Sequence, residues 1–100
     1  MDSDRVRSHQ DLRVWKLARS MAVDVYRYTA ALPAEERFGL QAQMRRAAVS
    51  GSLAELETQS LLCEDLGLLT RNDELHRQIR GIRLMLNSLQ KALRARRSPV

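Results

Sequence analysis

The chain has 100 residues and a formal net charge of +5, from 17 lysines and arginines against 12 aspartates and glutamates. A chain of this length forms one domain with a small core, and such domains often bury further apolar surface by self-association. The single cysteine, Cys63, excludes a disulfide framework within one chain and a zinc-type ligand cluster. No apolar run approaches the roughly 18 residues that cross a bilayer, and the start Met1-Asp2-Ser3-Asp4 lacks a signal-peptide pattern. These features predict a cytoplasmic protein without a membrane segment.

The first helix is predicted from an apolar stripe near the N-terminus. Residues 1–10 are polar and aperiodic, and they are predicted to be a flexible lead-in. Asp11 is the predicted N-cap of a helix that ends near Ala31, before Leu32-Pro33, because a residue that precedes proline is disfavoured in the α region. Steps of three and four along the stripe indicate one buried face: Trp15, Ala18, Ala22 and Val25. Trp15 is expected to be a core anchor.

The middle of the chain contains a break in helical phase. Pro33-Ala34-Glu35-Glu36 predicts the first turn of a second helix. Its stripe (Leu40, Met44, Ala47) and the next one (Leu53, Leu56, Ser60) would lie on nearly opposite sides of one continuous helix, at 100° per residue. Residues 36–66 therefore cannot form one straight helix with one buried face. A turn or kink is predicted near Gly51, which permits either.

The last helix carries the clearest amphipathic pattern. Gly67 predicts the end of the preceding helix, and Asn72 or Asp73 is the predicted cap of the last one. Its apolar residues step by four and three: Leu75, Ile79, Ile82, Leu86, Leu89 and Leu93. We therefore predict an all-α, antiparallel, up-and-down bundle of three helical segments, as a single domain over 11–94 followed by a basic tail over 95–100.

Two blocks carry a sequence pattern in a fixed order. The first reads D-L-x-V-W-x-x-A from Asp11 and P-x-x-E-x-x-G-L-x-x-Q-x-R-R-A-x-x-S from Pro33 to Ser50. The second reads G-S-L-x-E-L-x-T-Q from Gly51 to Gln59. Together they resemble the four-helix-bundle proteins of 23S rRNA intervening sequences, whose relatives include the accessory variability proteins of diversity-generating retroelements. The resemblance implies a bacterial, non-enzymatic homo-oligomer, commonly a pentamer with a basic surface, whose retroelement relatives partner RNA and a reverse transcriptase.

The sequence departs from this family between the two blocks. In the family, the serine is followed by an asparagine-isoleucine-alanine-glutamate-glycine motif, a turn and the start of the third helix, whereas here Ser50 runs directly into Gly51. The break in helical phase falls at the same junction. We infer that the end of the second helix and the start of the third are missing, so the outer helices are expected to expose parts of stripes that the family buries.

Basic residues form the candidate site. Residues 71–100 hold eight basic residues against two acidic ones, a net of +6, whereas residues 51–70 hold four acidic residues and no basic ones, a net of −4. One interpretation is a surface that contacts phosphates; the other is a solubilising face partly paired with the acidic block, in a purely structural or protein-interaction module. The candidate nucleic-acid-binding residues are Arg45, Arg46, Arg77, Arg80, Arg83, Arg94, Arg96 and Arg97.

The sequence offers no catalytic pattern. His9 and His76 are far apart and share no nearby acid or thiol pair, so neither is interpreted as a metal ligand or a base. No phosphate-binding loop, nucleophile motif or cofactor motif is present. Helix-turn-helix, zinc-finger and aromatic stacking patterns are absent as well, so any nucleic-acid binding would be directed at the backbone.

Overall fold

The computed structural model describes residues 2–97, with side chains described from 12 to 96. Neighbouring helices are antiparallel: α1 packs against α2 and α4, and α3 packs against α2 and α4. This arrangement confirms the predicted all-α, up-and-down bundle. The middle segment is two separate helices, so the expected three segments are four: α1 (Asp2–Thr29), a 3₁₀ turn (Ala34–Glu36), α2 (Leu40–Ser50), α3 (Leu53–Asp65) and α4 (Asp73–Arg97).

Two predicted helix starts were wrong. α1 begins at Asp2 rather than after an N-cap at Asp11, because the preceding segment contains neither proline nor glycine and its aspartates suit the positive end of a helix dipole. Pro33 opens only a 3₁₀ turn, in which the Glu36 N–H donates to the Pro33 carbonyl at 2.9 Å. α2 starts after Gly39, which is its N-cap.

The predicted break at Gly51 is confirmed. Gly51 has φ 80°, in the left-handed region, and the Ser52 N–H donates to the carbonyl of Ala47 at 2.9 Å. Gly67 has φ 71° and ends α3 in the same conformation, with the Leu68 N–H bonded to the Cys63 carbonyl at 2.9 Å. At both glycines, the left-handed conformation lets the N–H of the next residue bond to a carbonyl in the last turn of the helix. Residues with a Cβ adopt this conformation only with strain.

Alanine substitutions at two exposed glycines should have opposite effects. Gly51→Ala should lower the free energy of unfolding by about 1–2 kcal/mol, the approximate cost of a left-handed conformation for a residue with a Cβ. Gly81→Ala should raise it by about 0.5–1 kcal/mol, since Gly81 lies inside α4 and an added Cβ meets nothing within 4 Å. Urea unfolding of both variants tests this. A stabilising Gly51→Ala would contradict the left-handed turn.

Asn72, one of the two residues predicted for this position, is the N-cap of α4. Its side-chain oxygen Oδ1 accepts a hydrogen bond of 3.0 Å from the N–H of Leu75. This satisfies one of the unpaired N–H groups of the first turn. The cap fixes where α4 starts and therefore which of its residues face the bundle.

The helix lengths give the molecule a closed end and an open end. α1 and α4 have 28 and 25 residues, about 42 and 37 Å, whereas α2 and α3 have 11 and 13, about 16 and 20 Å. The longest extent is therefore 54 Å against 23 and 21 Å across. At the closed end all four helices enclose the largest fully buried side chains, which include Met21, Val25, Met44, Leu56, Cys63, Leu75 and Ile79. At the open end only α1 and α4 continue.

The open end corrects the expectation for Trp15. Its side chain is 56% exposed rather than a core anchor. Trp15 lies on the part of α1 that extends beyond Gly51, where neither α2 nor α3 is present to cover it. The expected exposure of apolar stripes on the outer helices is therefore confirmed at this residue.

Tyr28 links α1 to the segment before α4 at the closed end. It is expected to make the stability of the fold depend on pH. Its hydroxyl donates to the Thr70 carbonyl, and burial, followed by the negative charges of Glu64 and Cys63, raises the pKa of Tyr28 to about 12. An unfolded tyrosine has a pKa of about 10, so the folded state holds more protons between these values and stability should fall as pH rises through this window. In a phenolate absorbance titration, Tyr28→Phe should remove a component near pH 12. A wild-type titration that is complete well below that pH would contradict this.

Candidate nucleic-acid interface

The outward side of α4 is a row of cations. Its buried residues, among them Leu75, Ile79 and Ile82, face the bundle. The cations on the other side lie on one broad face over about 25 Å of helix: Arg77, Arg80, Arg83, Lys91 and Arg94. The sequence after Glu74 contains no acidic residue. We call these five residues the α4 basic face.

Two of these cations form surface ion pairs. Arg77 Nη1 lies 2.8 Å from Glu74 Oε2, and Arg83 Nη1 lies 3.1 Å from Glu57 Oε1. Exposed pairs of this kind contribute little to stability, so both guanidinium groups can exchange these partners for a phosphate at low cost. Arg80, Lys91 and Arg94 are exposed and have no ion-pair partner within the described part of the chain.

Arg45 has a structural role in the bundle. Its Nε donates to Thr29 Oγ1 and its Nη2 donates to the Tyr26 carbonyl, both at 3.0 Å. The guanidinium also lies 4.6 Å from the centroid of the Tyr26 ring. Arg45 therefore satisfies the C-terminal end of α1, whose last carbonyls have no helical partner.

Other candidate arginines lie apart from the α4 basic face. Arg46 is exposed on α2, which lies diagonally across the bundle from α4. Arg96 is exposed in the last turn of α4 and has a partner of its own. The side chain of Arg97 lies outside the described side chains. The structure thus groups Arg77, Arg80, Arg83 and Arg94, and phosphate binding by any of the eight candidates stays a prediction.

Sequence reasoning missed Arg13. It shares a shallow surface depression with Leu84, Met85 and Ser88 of α4, so it adds a cation beside the α4 basic face. Only the antiparallel packing of α1 on α4 brings these residues together. The signal in the sequence was that residues 12–20 contain three basic residues and no acidic one.

Part of the acidic block is paired within the molecule. α3 ends with two acids and no base in its last turn, an unfavourable arrangement with the helix dipole. The following segment supplies partners for Glu64: His76 Nε2 lies 2.7 Å from Glu64 Oε2, and Arg71 Nη1 lies 3.6 Å from Glu64 Oε1. The His76 and Glu64 side chains are only 6% and 10% exposed. Glu64 and His76 thus hold α3 and α4 together at the closed end.

The described residues offer no other site. No group of three or more metal-ligating side chains is present among them. None of the helices over 2–97 has the length and apolar character needed to cross a membrane. Cys63 is fully buried, and burial raises the pKa of its thiol, with Glu36 and Glu64 contributing further.

The fold and this surface define a small all-α bundle protein with a basic outer helix. Residues 10–50 match the family model described as 23S rRNA-intervening sequence protein, which confirms the family resemblance for that part of the chain. The match ends at Ser50, the last residue of α2 and the junction at which the family motif is absent. No curated protein matches this sequence.

Proposed function

We propose that this protein is a non-enzymatic helical scaffold that associates with itself and binds the phosphate backbone of RNA or DNA. The observation that carries the proposal is the α4 basic face, which runs along one helix without an intervening acid. Arg80, Lys91 and Arg94 are exposed and have no ion-pair partner among the residues that the structure describes. Phosphates attract such charges strongly because binding releases condensed counterions.

The chemistry of the face favours backbone contacts over base reading. Four of its five cations are arginines, whose planar forks fit two phosphate oxygens at once. The face has no aromatic side chain on which a base could stack. Binding should therefore depend weakly on sequence.

Exposed apolar side chains at the open end support self-association. Leu12 and Trp15, three residues apart on α1, are both at least half exposed. Apolar residues grouped in this way mark interaction surfaces on soluble proteins. The family resemblance implies a pentamer, and this number of subunits remains a prediction.

Charge removal from the α4 basic face tests the nucleic-acid part of the proposal. Arg80→Gln/Lys91→Gln should weaken binding to a labelled RNA hairpin about tenfold at low salt, since each lost phosphate contact removes a charge-assisted interaction. The matched control Arg37→Gln/Arg46→Gln removes the same charge from exposed positions after the 3₁₀ turn and on α2, away from this face, and should stay within about threefold of wild type. Fluorescence anisotropy gives both affinities. Equal losses in the two variants would contradict a specific face.

The rival function is a purely structural or protein-interaction module. The pairing of Arg83 with Glu57 across α3 and α4 favours it, because part of the basic face then serves the fold. The two functions differ in one outcome. No binding of RNA or duplex DNA at micromolar protein and low salt would exclude the nucleic-acid role and leave the interaction module.

A further inference from the structure

The open end contains an apolar groove between α1 and α4. It has a volume of about 320 Å³, and the turn between α2 and α3 forms its floor. Its lining is almost entirely apolar and includes Val14, Trp15, Ala18, Leu53, Leu86 and Leu89. We call it the α1/α4 groove.

The surroundings of the α1/α4 groove are basic. Residues 12–20 and 84–97 contain seven lysines and arginines and no acidic residue. On α1, the Arg19 guanidinium lies 5.5 Å from the centroid of the Trp15 ring at the rim. On α4, Gln90 and Arg94 follow Leu86 at steps of four and therefore lie along the same side. An occupant of the groove should combine apolar and acidic side chains.

The outward face of α3 has this combination. Leu61, Leu62 and Leu66, at its C-terminal end, are between 40% and 60% exposed. Glu55 and Asp65 are exposed on the same side of the helix, away from the buried Leu53 and Leu56. We call these five exposed residues the outward face of α3. The lining of the groove on α4 runs from Ile82 to Leu89, about 10 Å, so the C-terminal half of α3, which carries the exposed leucines, is long enough to span it.

We infer that the α1/α4 groove binds the outward face of α3 of a second copy of this chain. This inference rests on the proposed self-association and names its contact. Charge selects this pairing: two grooves placed against each other would bring Arg19 and Arg94 of one copy close to the same cations of the other, a costly arrangement, whereas α3 brings acids to them. The docked helix also covers the apolar lining of the groove.

The contact joins two different surfaces, so it propagates from copy to copy. Such head-to-tail contacts close into a ring or continue as an open chain. Arg80 and Lys91 lie on a different side of α4 from Leu86, by their spacing. These two cations of the α4 basic face therefore remain exposed in the assembly, and each added copy adds cations for a nucleic acid.

Two variants, each disabling one surface, test this contact by mixing. Trp15→Glu/Arg19→Glu places acids in the groove, and Leu62→Arg/Asp65→Arg places cations on α3; all four residues are exposed. By sedimentation velocity the wild type should be larger than a dimer and each variant a monomer. An equimolar mixture should form a dimer or a larger species, because each mixed pair retains one intact contact and its two altered surfaces carry opposite charges. Far-UV circular dichroism establishes that both variants are folded.

Controls and opposite outcomes separate this contact from self-association in general. Leu17→Glu/Arg13→Glu changes the charge by the same amount on another side of α1 and should leave the assembly intact. An assembled wild type with assembled variants, or a mixture that stays monomeric, would overturn the contact. A wild type that is monomeric at about 100 μM, well above the dissociation constants of weak interfaces, would overturn self-association as well. Nucleic-acid binding is measured separately and survives either result.

Discussion

His76→Leu is expected to lower the free energy of unfolding by about 3 kcal/mol, because it leaves the nearly buried carboxylate of Glu64 without its close partner. The two side chains approach to 2.7 Å, and the remaining cation, Arg71, lies 3.6 Å from the carboxylate and is more than half exposed. The carboxylate also lies at the C-terminal end of α3, where the helix dipole opposes a negative charge. Without the histidine, neither the burial of the Glu64 carboxylate nor its unfavourable interaction with the helix dipole is compensated by a close partner.

The double variant Glu64→Leu/His76→Leu should recover most of this loss, since both partners of a buried polar pair can often be replaced by apolar groups at little cost. Urea unfolding of the two single variants and the double variant forms a cycle that isolates the interaction between the two residues. We expect a coupling of at least about 1 kcal/mol. Strictly additive effects would show that the pair does not hold α3 and α4 together.

Ile79→Ala is expected to cost about 3 kcal/mol, whereas Leu84→Ala, on the same helix, should cost less than about 0.5 kcal/mol. Ile79 is fully buried at the closed end, and Leu84 is 66% exposed on the outward side of α4. The first substitution creates a cavity among four helices. The second removes a side chain that solvent already surrounds.

Trp15→Ala extends this comparison to α1. A buried tryptophan would cost about 3–5 kcal/mol when replaced by alanine, but the exposed Trp15 should cost about 1 kcal/mol or less when unfolding is measured at a concentration that keeps the chain monomeric. The three variants together measure where the complete core ends. A cost at Trp15 as large as that at Ile79 would contradict the open end.

Local chemistry was enough to predict several features of the fold. The phase difference between the stripes of Leu40 and Leu53 required a break, and Gly51 supplied a residue that adopts a positive φ without strain. Gly67 and Asn72 were likewise recognisable from residue type and position. The start of α1 was missed because residues 2–10 contain a single apolar residue, Val6, and periodicity identifies only helices with an apolar face.

Features that depend on neighbouring helices could not be predicted in this way. The helical stripe shows that Trp15 faces the bundle, but its burial depends on whether α2 or α3 extends far enough to cover it. The charge of Arg45 does not reveal that its N–H groups are used by Thr29 and Tyr26. Arg13 lies beside α4 only because of how α1 and α4 are aligned along their lengths, which the sequence does not show.

The most direct measurement of the proposed function is the affinity for a labelled single-stranded RNA across a salt series. Phosphate binding through the three unpaired cations of α4 predicts a linear fall of log affinity with log salt, with a slope of about −2 or steeper, since each contact on a single strand contributes roughly 0.7. A duplex DNA of unrelated sequence should bind with a comparable or steeper slope. Affinity that does not change with salt, or no binding at the lowest salt, would contradict a phosphate-binding surface on α4.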